Sequence, residues 1–159
     1  MDLECVKHGE IVRDMEVLSK SEAPSRAKRL LNNDDIMYQT TRPYQRNNYW
    51  YKDIFNLPVV ASTGYAQLRA KEGICPGYIY QIIHTDEFVE QVMNKCTGGA
   101  YPAINPTELA KIDIQVPPLA EQQRISQTLT NYDELTSGLD KQIEVLRDTK
   151  SQLMNSIFN

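Results

Sequence analysis

Residues 40–52, TTRPYQRNNYWYK, interleave basic side chains with aromatic rings and amides. Arginine and lysine bind phosphate oxygens. In the major groove, arginine also makes two hydrogen bonds to guanine, and asparagine or glutamine makes two to adenine. The stretch therefore carries the side-chain types that bind a nucleic-acid duplex. Its candidate contacts are Arg42, Tyr44, Gln45, Arg46, Asn47 and Tyr49.

Two neighbouring stretches extend the basic character, PSRAKR at 24–29 and STGYAQLRAK at 62–71. We expect phosphate contacts from Arg26, Lys28, Arg29 and Lys71, and further contacts from Tyr65, Arg69, Lys95 and Tyr101. The alternative is that the aromatic rings form the core and the bases are a solvated surface. That alternative is favoured for any single residue, whereas the set as a whole favours a nucleic-acid face.

The charge distribution supports one basic face in an acidic chain of net charge −4. Residues 22–71 hold eight bases and four acids, whereas residues 72–119 hold two bases and six acids. The remaining segments, 1–21 and 120–159, each sum to −2. An anionic partner that meets one segment explains this unevenness, and chance is the alternative.

Candidate catalytic groups are few. Adenine amino-methyltransferases carry Asn or Asp, Pro, Pro and an aromatic, but in NPTE (105–108) Thr107 and Glu108 take the last two places. The phosphate-cradling glycine loops of nucleotide-binding enzymes do not occur. His8 and His84 stand alone, and His84 is favoured as a structural residue. We predict a non-catalytic protein with no cofactor and no metal site.

The cysteines and the apolar pattern predict a cytoplasmic protein. Cys5, Cys75 and Cys96 are odd in number and far apart, which suits a reducing compartment better than a disulfide framework. A zinc site at Cys5 and His8 would lack two ligands at finger-like spacing. The chain has neither an 18-residue apolar run nor a secretory signal at its start, so we expect no membrane segment.

The elements that must position these residues are predicted to be mixed. Residues 34–41 and 57–70 are rich in β-branched and aromatic residues and predict strands, as does the apolar run 77–84. Residues 85–96 change to helical periodicity, with Thr85 or Asp86 as the N-cap. Asn105 and Pro106 predict a second helix start, and Ile112, Ile114 and Val116 alternate as a half-buried strand over 111–117.

A long helix follows Pro117-Pro118, since residues 121–158 contain no proline and only one glycine. Its apolar positions step by four and three without a slip, which predicts a coiled-coil seam. Folding of this helix back onto its own domain is the alternative. The seam consists of Ile125, Leu129, Tyr132, Leu139, Ile143, Leu146, Leu153 and Ile157, with Thr136 and Lys150 as polar interruptions.

Four stretches in this order resemble the DNA-specificity subunit of type I restriction-modification enzymes. They are APSRAKRLLNNDDIMYQTTRPYQRNN, VVASTGYAQLRAK, GGAYPAINPTELAKIDIQVPPLAEQQRI and the helix that follows. The start, CVKHGEIV, resembles the opening of such a domain, with His8 where the family usually has leucine.

The resemblance implies an α+β fold, with a mixed target-recognition domain at 1–118 and a spacer helix at 119–159 that pairs as an antiparallel coiled coil. It also implies a non-catalytic subunit that reads one half of a split double-stranded DNA site. Modification subunits that methylate adenine N6 would dock on it, and restriction subunits could join them.

The family's usual subunit has two recognition domains and two spacer helices, whereas this chain has one of each. We therefore expect two copies to pair through their helices and read a palindromic split site. The alternatives are pairing with another half-subunit, a silent gene cassette, a stand-alone DNA-modification enzyme, and a coiled-coil protein that does not bind DNA.

Overall fold

The computed structural model describes residues 1–158, which form a globular part of short strands and helices and one long C-terminal helix. The expected α+β class and the long terminal helix are confirmed. Asn159, the last residue of the predicted spacer segment, lies outside the described residues. The predicted division at residue 118 stays a prediction.

Three small antiparallel sheets build the globular part. The first pairs β1 with β2, the second pairs β3 with β6, and the third has the order β5-β4-β7. The strands are β1 (Val6–Lys7), β2 (Glu10–Ile11), β3 (Ala27–Leu30), β4 (Ile36–Gln39), β5 (Tyr49–Trp50), β6 (Val60–Ser62) and β7 (Tyr65–Leu68).

Strand β4 lies between two hydrophobic clusters, and all four of its residues are buried. Successive side chains of a strand point to opposite faces. Met37 accordingly joins one cluster with Tyr51 and Tyr65, whereas Ile36 and Tyr38 join the other. The strands predicted within 34–41 and 57–70 are confirmed, and β4 is the strand that organises both clusters.

Three short helices, α1 (Pro76–Ile82), α2 (Asp86–Asn94) and α3 (Pro106–Leu109), cover the second cluster. Both predicted caps are confirmed. Oγ1 of Thr85 accepts a hydrogen bond from the Phe88 amide at 3.3 Å, and Oδ1 of Asn105 accepts one from the Thr107 amide at 2.9 Å. Each cap satisfies a backbone donor that the first helical turn leaves free.

The strand predicted over 77–84 is wrong, because this segment is helix α1. Its apolar and aromatic residues reflect burial on two sides. On one side the Tyr80 ring lies 6.0 Å from the Trp50 ring, and on the other α1 packs against the long helix. A short apolar run buried in this way has no helical stripe, and Pro76 at the first helical position was the available sign of a helix.

The strand predicted over 111–117 is also wrong. These residues connect α3 to the long helix without strand pairing. Ile112 and Ile114 still pack against the second cluster, which explains the alternation in the sequence. The side-chain pattern therefore reports the buried positions, while the backbone lacks a partner strand.

The long helix α4 spans Leu119–Phe158. Its N-terminal part packs against α1, and the side chains of residues 138–158 are exposed. Among the described residues, no helix is long and apolar enough to span a lipid bilayer.

Candidate nucleic-acid interface

The loop at residues 42–46, which we call the base-reading loop because its side chains are predicted to contact DNA, has an unusual backbone. Pro43–Gln45 form a single 3₁₀ turn, and the residues on either side of it, Arg42 and Arg46, have positive φ angles of 52° and 54°. The left-handed conformation costs a residue with a Cβ atom roughly 1–2 kcal/mol. Two such residues around one turn indicate that the surrounding contacts impose the conformation, as is common at functional loops.

Backbone contacts with residues 97–104 hold this loop in place. The Arg42 amide donates to the carbonyl of Pro102 at 2.7 Å, and Thr41 forms a β-bridge with Ala103. On the inner side, the side-chain Nε2 of Gln39 donates to the carbonyl of Thr41 at 2.7 Å. The loop is therefore attached at both its outer and inner edges.

A glycine turn presents the facing residue, Tyr101. The Tyr101 amide donates to the carbonyl of Gly98 at 2.7 Å, and Gly98 has a φ of 100°. A Cβ atom at Gly98 would lie 2.7 Å from the carbonyl oxygen of Tyr101, so only glycine fits this turn. The exposed fraction of Tyr101 is 65%.

Arg42 and Tyr101 meet at the surface, where the guanidinium carbon lies 4.4 Å from the centre of the tyrosine ring. This cation–π contact orients the guanidinium and leaves its N–H groups free to bind an acceptor. Tyr44 and Gln45 are exposed on the adjoining 3₁₀ turn. We call the four residues Arg42, Tyr44, Gln45 and Tyr101 the Arg42–Tyr101 surface.

This surface combines a fork of donors, an amide and two aromatic rings. A guanidinium pairs with the two acceptors of guanine, an amide with the donor and acceptor of adenine, and a ring with the face of any base. The chemistry suits base-edge contacts, and nothing in it provides a nucleophile or a general base.

Three further predicted residues lie near this end of the molecule. The carbonyl of Arg26 accepts from the Thr63 amide, and the neighbouring Gly64 carbonyl accepts from the Thr40 amide. Lys28 is exposed one residue into β3, and Lys95 is exposed at the end of α2, just before the bridge to Ala103.

Arg69 and Lys71 lie at the other end of β4. The antiparallel register pairs Gln39 with Tyr65 and Ile36 with Leu68, so the residues after β7 run away from the loop. Arg69 is moreover paired with a buried acid, although its own side chain is 56% exposed. Its Nε and Nη2 donate to the two carboxylate oxygens of Asp35 at 2.7 and 2.9 Å.

Asp35 is fully buried, and its carboxylate also accepts from the Gln67 side chain and the Asn32 amide. Burial alone would raise the pKa of this carboxyl, but Arg69 and these donors outweigh it and lower the pKa below its ordinary value. Arg69 is thus the counter-ion of a buried acid, which the sequence analysis did not identify.

Four other predicted contacts have structural roles. Tyr49 and Tyr65 are buried in the first cluster, with 9% and 0% exposure, so their prediction as nucleic-acid contacts is wrong. Arg46 bonds to the Asp86 carboxylate and to the carbonyl of His84. Arg29 is partly buried and lines an apolar cavity with Phe88 and Ile112, and its buried Nε has no hydrogen-bond partner among the described residues.

Asn47, and Asn48, which was not among the predicted contacts, connect the base-reading loop to the rest of the globular part. Oδ1 of Asn47 accepts from the His8 amide at 3.2 Å, and Oδ1 of the buried Asn48 accepts from the Gln39 amide at 2.9 Å. The Asn48 side chain also lies 3.2 Å from Nε2 of His84. Asn48 lies between the 3₁₀ turn and β5, and the neighbouring sequence contains no signal for this role.

His84 completes the support. Its Nδ1 lies 2.6 Å from the carbonyl of Tyr80, so Nδ1 carries the proton and Nε2 accepts from Asn48. Burial lowers the pKa of His84, and the nearby Arg46 lowers it further against the opposing effects of the hydrogen bonds and Asp133. A neutral His84 therefore anchors the loop, as expected of a structural residue.

Helix α4 presents two different faces. The face that carries Gln122 and Ser126 is buried against the globular part. The predicted seam lies on a neighbouring face, where Leu139 is 51% exposed and Ile157 is 71% exposed. Helix α4 thus contacts its own domain through another face, while most of the seam stays exposed, and pairing of the seam with a second helix remains a prediction.

Comparison with known proteins identifies the family. The family model described as the type I restriction modification DNA specificity domain matches residues 9–145. The type I restriction enzyme MjaIX specificity subunit of Methanocaldococcus jannaschii is 26% identical over 108 residues. The MjaVIII specificity subunit of the same organism is 32% identical over 81 residues.

These matches cover 68% and 51% of this chain but 25% and 19% of the two relatives. The chain therefore spans about a quarter or less of the curated relatives that it matches.

Solved structures give the same result. The HsdS subunit from Thermoanaerobacter tengcongensis superimposes with a TM-score of 0.72 at 29% identity, over 87% of this chain and 36% of that one. A chain from a structure of the type I R-M system superimposes with a TM-score of 0.77 at 28% identity, over 94% of this chain and 39% of that one. The chain belongs to the family of type I restriction modification DNA specificity domains.

Proposed function

We propose that this chain is a non-catalytic, sequence-specific DNA-recognition module of a type I restriction-modification complex. The observation that carries the proposal is the Arg42–Tyr101 surface, in which a strained arginine is held against an exposed ring on a fold of this family. In this proposal, residues 1–118 recognise DNA and the helix from residue 119 is the spacer.

The residues of this surface contact base edges, with Arg42 and Gln45 as the hydrogen-bonding readers and Tyr44 and Tyr101 as the stacking groups. Lys95, Arg26 and Lys28 hold phosphates around them, since each is an exposed base near the same end of the molecule. Lys71 and Arg69 lie away from this surface and are not included.

The chain pairs with a second copy through α4 and reads a palindromic site split into two half-sites. The exposed seam supports this, because a row of apolar side chains along a helix favours pairing with another helix.

The seam is complementary to itself in the antiparallel direction. With the two-fold axis beside residue 141, every seam position faces a seam position of the other copy, and Lys150 faces the ring of Tyr132. The flanking Asp133 then faces Arg147 of the second copy, which adds opposite charges. The pairs are Ile125 with Ile157, Leu129 with Leu153, Tyr132 with Lys150, Thr136 with Leu146, and Leu139 with Ile143.

The partners are modification subunits, which carry the methyl-transfer chemistry, and restriction subunits where cleavage follows. The chain itself uses no cofactor, and the complex acts in the cytoplasm.

Selection from a pool of randomised DNA duplexes tests the proposal. The chain, assembled with a type I modification subunit, is expected to enrich two identical inverted half-sites at one fixed spacing. Enrichment of a motif without inverted symmetry would contradict the homodimer, and absence of any enriched motif would contradict sequence-specific recognition.

A further inference from the structure

Gln122 forms a buried joint between the globular part and helix α4. Its side chain is 1% exposed, and its Oε1 accepts from the Cys75 amide at 2.9 Å. Its Nε2 donates to the carbonyls of Pro117 at 2.8 Å and Gly73 at 3.3 Å. One side chain thus connects the start of α1, the preceding loop and the proline pair to the first turn of α4.

Close packing next to this joint fixes the distance between α1 and α4. A Cβ atom at Gly77 would lie 2.0 Å from Oγ of Ser126 and 2.7 Å from the Trp50 ring. The two helices can approach this closely only because position 77 has no side chain. The first turns of α4 therefore have one allowed separation from the globular part.

A second attachment lies much farther along the helix. The Glu10 carboxylate, in β2, accepts from Oγ of Ser137 and from Nζ of Lys141 at 3.1 Å. Lys141 is 19 residues beyond Gln122, which is about 28 Å along a helix axis. Between the two attachments, the Gln81 side chain donates to Asp133 at 2.7 Å.

Separated attachments determine the direction of a helix, and the outermost of them acts at the greatest distance from the joint. A solvent-exposed ion pair contributes only about 0–1 kcal/mol, so the Glu10 attachment adds little to the stability of the fold. At about 28 Å from the joint, it restricts the angle more than an equally strong contact close to the joint would. A tilt of roughly 7° over that length moves the far end by about 3.4 Å, the rise of one base pair.

We propose that Gln122 and Glu10 are positioning residues that fix the angle between the DNA-recognition part and α4, and so set the spacing between half-sites. The inference rests on the proposed function for its consequence in DNA and on the intramolecular contacts for the angle itself. It predicts that loss of the outer attachment widens the range of accepted spacings while each half-site sequence stays the same.

Charge reversal at the outer attachment tests the inference. Glu10→Lys and Lys141→Glu are each expected to create repulsion, whereas the double reversal restores an ion pair. Glu144→Lys, an equal change on an exposed residue off the seam, is the matched control. Gln122→Ala tests the inner attachment. If that variant fails to fold, the charge reversals at Glu10 and Lys141 still test the inference.

Two measurements are made on the same full-length proteins. Electron–electron distances between spin labels at Glu90→Cys and Asp148→Cys report the angle, with the native cysteines replaced by serine and the labelled chain diluted by unlabelled chain. Selection from randomised duplexes, in complex with a modification subunit, reports the spacing. Each single reversal should broaden the distance distribution and add spacings at least one base pair from the wild-type value, and the double reversal should restore both.

Unchanged distance distributions in the single reversals would overturn the angular role of Glu10. Broadened distances with one unchanged spacing would overturn the link between the angle and the DNA site. Failure of the wild-type protein to enrich any motif would count against the proposed function, while the distances still decide whether the two attachments fix the angle.

Discussion

At the scale of single residues, Arg42 and Arg69 show how one residue type takes two roles. Arg42 is held at the surface against Tyr101, whereas Arg69 neutralises the buried Asp35. The sequence predicts both as nucleic-acid contacts, since their acidic and aromatic partners lie far away in the chain. Asp35 is 34 residues from Arg69, and Asp86 is 40 residues from Arg46.

Replacement of Arg42 by glycine separates recognition from stability. Glycine removes the guanidinium but adopts a positive φ without strain, so stability should be unchanged or higher by up to about 1 kcal/mol. Affinity for the specific site should fall by about 1–3 kcal/mol, as measured by fluorescence anisotropy. Arg13→Ala, at an exposed arginine of the N-terminal segment, is the control. Equal loss of affinity in both variants would contradict the assignment of Arg42.

Replacement of Arg69 by alanine should produce the opposite result. Asp35 would remain buried without its bidentate partner, so the free energy of unfolding measured in urea titrations should fall. Lys71→Ala, two residues away and exposed, should change it by less than about 0.5 kcal/mol. A stable Arg69→Ala protein that has lost DNA binding would show that Arg69 is a DNA contact.

Protonation of His84 should loosen the base-reading loop in acid. Because burial lowers the folded-state pKa of His84 below its ordinary value of about 6.5, the unfolded chain binds the proton first as the pH falls. Its contribution to stability is therefore complete above about pH 6.5 and is lost as the pH falls through the folded pKa. Thermal unfolding of His84→Gln should show a smaller loss of Tm between neutral and acidic pH than the wild-type protein. Equal slopes would contradict a neutral, buried His84.

At the scale of elements, the sequence predicts a segment best when a local signal specifies it. The caps at Thr85 and Asn105 and the helix after Pro118 were predicted correctly, because capping residues, proline and periodicity act within a few residues. The segments 77–84 and 111–117 were predicted as strands because apolar content reports burial. Burial of α1 between Trp50 and α4 depends on contacts that the local sequence does not contain.

The seam of α4 predicts a dimer that one acidic substitution disrupts. Ile143→Asp would bury a charge in both copies, so the dimer should weaken by at least about 100-fold in sedimentation equilibrium. Val145→Asp lies on the same turn but off the seam and is 64% exposed, so it should leave the dimer intact. Equal effects of the two substitutions would mean that the seam is not the dimer interface.

At the scale of the whole molecule, the chain consists of one globular part and one long helix. Residues 9–145 match the specificity-domain family, and the sequence motifs were sufficient to recognise it. The position of the globular part relative to the helix could not be predicted, because Gln122, Gly77 and Glu10 act through contacts between distant segments. In our proposal, two identical recognition parts on paired helices require inverted half-sites.

Adenine methylation in cells tests this central claim most directly. The chain is expressed with a type I modification subunit in a strain that lacks other adenine methyltransferases, and modified adenines are mapped by sequencing. We predict methylation at one palindromic motif of two inverted half-sites with a fixed spacer, and none when the chain is omitted. Methylation at an asymmetric motif, or the same methylation without the chain, would contradict the account.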